Sequence, residues 1–134
     1  MKKFITIIIM MIVVIFGATT SHSETYDLVP MTGTIGKYAI VMDLIINTST
    51  GKATGWYYYK SKGSKNKIQL SGKVYGDPVL DFVKLNLTET VNGKTTGNFT
   101  GDLWISAVGN QGYEGTWSSP SGKKLTFSVD YFRP

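Results

Sequence analysis

VKLNLTETVNGKTTGNFTGDLWI, Val83 to Ile105, is the stretch that decides the fold. Val83, Leu85 and Leu87 alternate with Lys84, Asn86 and Thr88, so one face is apolar and the other polar at the period of two that belongs to a strand. Asn92-Gly93 follows, a pair that favours a two-residue hairpin because both central residues of such a turn take positive φ. Gly97, Phe99, Gly101, Leu103 and Ile105 then alternate with Asn98, Thr100, Asp102 and Trp104. The stretch predicts two antiparallel strands, each with one wet and one buried face.

The pattern extends in both directions. Upstream, Tyr38, Ile40, Met42, Leu44 and Ile46 share a face, and Asn47 to Lys52 carries turn chemistry. Ala53 to Lys60 places Tyr57 and Tyr59 on one face, Trp56 and Tyr58 on the other. Ile68, Leu70, Gly72 and Val74 alternate with Lys67, Gln69, Ser71 and Lys73. Downstream, Tyr113, Gly115 and Trp117 oppose Glu114, Thr116 and Ser118. After the turn Pro120-Ser121-Gly122, a final inward face holds Leu125, Phe127, Val129 and Tyr131. With the short piece Thr32 to Ile35 these make eight strands joined by short turns, and short links force neighbours to pair antiparallel. An open meander would leave two bare edges and an uncovered apolar face, whereas closing it removes both. The expected fold is all-β: a single eight-stranded antiparallel up-and-down meander barrel, avidin- or lipocalin-like. A two-sheet sandwich would need longer crossovers. Eight strands enclose a lumen that side chains nearly fill or that admits one small ligand.

Met1-Lys2-Lys3 precedes an apolar run from Phe4 to Gly17, broken by Thr6 and ending in small residues. This layout predicts a bacterial secretory signal peptide over residues 1–23, cut before Glu24, and a barrel domain over 24–134 in the periplasm or the medium, without a stable membrane anchor. The chain has no cysteine, so neither disulfides nor a lipid-modified cysteine is available. Without Lys2 and Lys3, twelve basic residues face nine acidic ones, a net charge of +3. That is too mild to imply nucleic acid, though it favours adhesion to anionic surfaces.

The one histidine, His22, lies in the segment expected to be removed. A domain without His or Cys lacks the commonest general base, transition-metal ligand and thiol nucleophile. No catalytic residue, metal site or cofactor is predicted. Asp43 interrupts an apolar strand on its outward face, and Asp81, Glu89, Asp102, Glu114 and Asp130 are read as mostly outward positions or strand ends.

Binding is the expected function, by one of two sets of residues. Trp56, Tyr58, Lys60 and Lys62 form an outward aromatic and lysine surface, with Lys65 and Lys67 on the same turn, suited to a protein or glycan partner. Tyr57, Tyr59, Phe99 and Trp117 form an inward set that would line the lumen around a small apolar ligand. Glycine followed two places later by a large residue recurs at Gly55, Gly72, Gly97 and Gly115, and reads as a packing code in which each glycine leaves a hole for a neighbouring aromatic.

Gly55 with Tyr57-Tyr58-Tyr59, Ile68 to Gly72, Leu87 to Glu89, Thr96 to Gly101, Gly115 to Trp117 and Phe127 together make a pattern that resembles many small exported bacterial β-barrel proteins of unassigned function. The resemblance covers nearly all of the chain after residue 23 and implies the fold. More distantly the layout is similar to avidin. Avidin-like proteins hold biotin with Asn and Ser on the first strand, where this chain has Ile35, Gly36 and Lys37, so the likeness implies the barrel and not the ligand. Tyr57 to Gly63, an aromatic strand with a Lys-Gly turn, looks like the small periplasmic barrels that inhibit lysozyme, which implies an inhibitor-like or envelope-associated role. The leading expectation is an exported, non-catalytic binding module acting through its outer surface, and the alternative is a lumenal ligand.

Overall fold

The computed structural model describes residues 25–79 and 81–134; the expected signal peptide and its cleavage point lie outside them. The described residues form nine strands: β1 (Thr25–Asp27), β2 (Met31–Ile35), β3 (Tyr38–Asn47), β4 (Lys52–Tyr59), β5 (Ile68–Tyr75), β6 (Val83–Val91), β7 (Lys94–Ile105), β8 (Gln111–Ser118) and β9 (Lys124–Tyr131). From β2 to β9 each strand pairs antiparallel with the next, and β2 pairs with β9 (Thr32 opposite Asp130, Ile35 opposite Phe127), closing an eight-stranded barrel. The meander closes because its apolar face can be covered only by itself.

β1 is additional to the eight expected strands. It pairs with Ile45 to Asn47 of β3, while β2 pairs with Tyr38 to Met42 of the same strand, so the two lie along one side of β3 with a break at Leu28-Val29-Pro30. Proline has no N–H for the ladder, and the break is bridged by a side chain. The Gln111 amide donates to the Val29 carbonyl (2.7 Å) and accepts from its N–H (3.2 Å).

The alternation read from the sequence sets the core. Ile40, Met42, Leu44 and Ile46 of β3, Leu85 and Leu87 of β6, and Phe99 and Leu103 of β7 are all buried. An edge-to-face chain of rings fills the centre: Tyr57 to Phe99 at 5.3 Å between centroids, Phe99 to Phe127 at 5.0 Å, and Phe127 to Tyr113 at 4.7 Å. The Asn92-Gly93 hairpin forms as expected, with φ of 52° and 79°.

The glycine code has two physical origins rather than one. At Gly97 the hole is filled by a side chain, since a Cβ there would lie 2.5 Å from the Trp117 indole nitrogen and 2.8 Å from the Glu89 carboxyl carbon. At Gly55, Gly72 and Gly115 a Cβ would instead run into the carbonyl oxygen of Asp43, Asn86 and Thr100 respectively. Those glycines admit the neighbouring backbone, which a tightly coiled small barrel requires.

Candidate functional site

β6 continues its period of two past Leu87, and the next inward position is Glu89. Glu89 is only 4% exposed, which corrects its assignment to an outward position or strand end. A charged group placed inside must be hydrogen-bonded, and three neutral donors converge on it. Tyr57 Oη donates to Oε1 at 2.6 Å and Trp117 Nε1 to the same oxygen at 2.8 Å, while Thr96 Oγ1 donates to Oε2 at 2.7 Å.

Each donor has a local cause. Tyr57 is inward by strand parity. Trp117 reaches the carboxyl through the space left by Gly97. Thr96 is the extra residue of a β-bulge: Glu89 opposes Gly97 and Thr90 opposes Thr95, so Thr96 has no partner across the ladder and its hydroxyl turns to Glu89. Burial first, and then the bond to Glu89, pushes the Tyr57 hydroxyl far above the ordinary tyrosine range and keeps it a donor. Burial also raises Tyr59, whose ring meets Tyr57 edge-on at 5.5 Å.

Trp117 carries this network to the wall of a recess. At the barrel end where β4 runs into β5 and β8 into β9, a cavity of about 280 Å³ is lined by Tyr38, Tyr59, Ser61, Lys62, Trp117, Lys123 and Leu125. Its volume is near the lower end for small-molecule sites. A larger trough of about 610 Å³ at the opposite end is lined by Thr48, Ser49, Thr50, Gly51, Val74, Gly76 and Asp77 and has no aromatic wall.

The structure regroups the two expected sets. Of the lumen candidates, Tyr57 and Phe99 are fully buried in the core, whereas Tyr59 and Trp117 line the recess. Of the surface candidates, Lys62 joins them, and Lys60 is exposed on the same loop. Trp56 and Tyr58 stay on the outer wall, stacked at 5.8 Å and half-buried, with the Lys67 ammonium 4.3 Å above the Trp56 ring. Asp43 lies across the strand pair from Trp56, and burial, helped by the charge of Asp27, raises its carboxyl above the usual value against the lowering by the Leu44 backbone and Lys67. Among the described residues no group of three or more His, Cys, Asp or Glu side chains could hold a metal ion.

Sequence reasoning also missed how charge is distributed by height along the barrel. The turns at the recess end and the strand ends beside them carry Lys37, Lys60, Lys62, Lys65, Lys67, Lys94, Lys123 and Lys124, all exposed, and the acidic groups near them are the buried Glu89 and, on the wall beside Lys67, the half-buried Asp43. Asp27, Asp77, Asp81, Asp102 and Asp130 sit at or towards the other end, where the one ion pair among the described residues, Lys84 with Asp102 at 3.6 Å, also lies. An exposed aromatic run occupies that far end, Phe82 stacked on Trp104 at 6.3 Å and Trp104 near Phe132 at 6.0 Å. No family model, no curated protein and no solved structure matches the chain.

Proposed function

We propose that the protein is an exported, non-catalytic binding protein that holds a small ligand in the recess at its lysine-bearing mouth, the ligand having a flat apolar body and an anionic group. The observation that carries this reading is the convergence of Tyr38, Tyr59, Trp117 and Leu125 with Lys62 and Lys123 around one cavity. Aromatic walls suit a flat apolar body and two ammonium groups at the rim suit an anion. The wall is pre-organised, because Glu89 holds the Trp117 indole and the Tyr57 hydroxyl together, and a rigid wall lowers the entropy lost on binding. The barrel centre itself is occupied by Phe99 and Phe127, which supports a ligand at the mouth rather than deep in the lumen.

Anilinonaphthalene sulfonate, a flat aromatic anion, and uncharged phenylnaphthylamine test the reading by fluorescence titration. Saturable binding of both is expected, weakened for both by Trp117→Phe, while Lys62→Gln with Lys123→Gln weakens only the anion. Equal affinities in all variants would remove the proposal. A second reading, partner capture by the outer wall, is favoured by the half-exposed Trp56 and Tyr58 stack beside Lys60. It expects Trp56→Ala with Tyr58→Ala to abolish capture of a protein or glycan partner and to leave probe binding in the recess unchanged.

A further inference from the structure

We infer that the lysine-bearing end of the barrel docks on an anionic phospholipid bilayer, with the recess facing the headgroups. Eight of the twelve cationic residues in the described chain sit on or directly beside the four turns of one end, and the one partly exposed acidic side chain that meets them is Asp43, on the wall beside Lys67. The walls and the far end hold the other four cations and seven acidic residues. Solubility asks only for net charge and is served as well by an even spread, so the segregation points to a partner.

The shape of the patch selects the partner. The lysines occupy the turns β2–β3, β4–β5, β6–β7 and β8–β9, which encircle the mouth of a closed barrel, so they ring a face instead of forming a stripe along a wall. A ring on one end matches a planar anionic surface, on which every turn can settle together. A linear polyanion would engage only the lysines along its path. Within the ring Tyr38 is 48% exposed and Val91 40%, an amphipathic ring and an apolar side chain of the kind the headgroup region accepts. The inference does not depend on the recess being filled, since most of the lysines do not line it.

Residues 25–134 contain every described strand and the closure of the barrel, and are the species to sediment with vesicles of phosphatidylcholine alone or with an equal part of phosphatidylglycerol. Pelleting with the anionic vesicles only is expected, and it falls as salt is raised. Each lysine near such a surface contributes a factor of about five, so the quadruple variant Lys37→Gln, Lys65→Gln, Lys94→Gln and Lys124→Gln is expected to partition several hundredfold less, at roughly unchanged melting temperature. None of these four lines the recess. The far-end variant Lys52→Gln with Lys73→Gln should partition as the parent does. The inference is overturned by equal pelleting on both vesicles, by no pelleting, by a quadruple variant that behaves as the far-end one, or by soluble polyglutamate that binds as tightly as the vesicles.

Discussion

Glu89 shows how much one inward carboxyl organises. Its three donors come from β4, β7 and β8, so it ties β6 to β4 and β8, with which it shares no ladder, as well as to its neighbour β7. Glu89→Gln puts an amide donor against hydroxyl or indole donors, and should destabilise the barrel by about 2 kcal/mol, read as a lower urea midpoint with a shifted tryptophan emission. Gly97→Ala acts on the same spot from behind. Its methyl has no room beside the Trp117 indole, so a loss of about 1–3 kcal/mol is expected, with weaker probe binding in the recess because the indole must move. Tyr113 supplies a pH prediction. Burial and, after it, the charge of Asp102 push its hydroxyl well above the ordinary value of 10.0. Below about pH 10 the hydroxyl is protonated folded or unfolded and adds no slope; above it the unfolded tyrosine releases its proton while the folded one keeps it, so stability falls as pH rises. Melting temperature followed into alkaline buffer should decline, and Tyr113→Phe, which loses only the 2.7 Å bond to the Leu85 carbonyl, should lessen that decline, the rest belonging to the raised Tyr57 and Tyr59 hydroxyls.

At the scale of elements, strands whose faces alternate cleanly are legible in the sequence. The β6–β7 hairpin, its Asn92-Gly93 turn and the inward Leu85, Leu87 and Phe99 follow from a period of two and a turn that needs positive φ. Two elements escaped for definite reasons. β1 is three residues long with a proline shortly after it, too short to carry a period. The bulge at Thr96 is invisible because its signal is a mismatch between two strands, and one strand read alone contains no mismatch. β1 is an addition to a barrel already closed by β2 and β9, so removing Thr25 to Asp27 should preserve the β-type circular dichroism and a single cooperative melt. Gly93→Val, in contrast, puts a β-branched side chain at a φ of 79° and should cost about 1–2 kcal/mol in chemical denaturation.

For the whole molecule, closure turns eight amphipathic strands into a cylinder with two chemically different ends. The lysine end should steer anions, so the association rate of a sulfonated probe with the recess is expected to fall steeply with ionic strength, while that of the neutral probe changes little in stopped-flow measurements. The candidate site was half legible. Tyr59 and Trp117 were found by parity and Lys62 by its turn, but the sequence assigned them to two separate surfaces, and Lys123 and Glu89 to neither. By itself the sequence determined the eight strands of the barrel, the pairing of consecutive neighbours and most of the inward side chains, because a period of two and turn chemistry are local properties of the chain. Only the tertiary structure decided that Tyr57 and Phe99 are core, that Tyr59, Trp117, Lys62 and Lys123 share one mouth, and that eight lysines crowd one end. Those facts depend on which strands are brought side by side and at what height, and distance across a closed barrel is not encoded in distance along the chain.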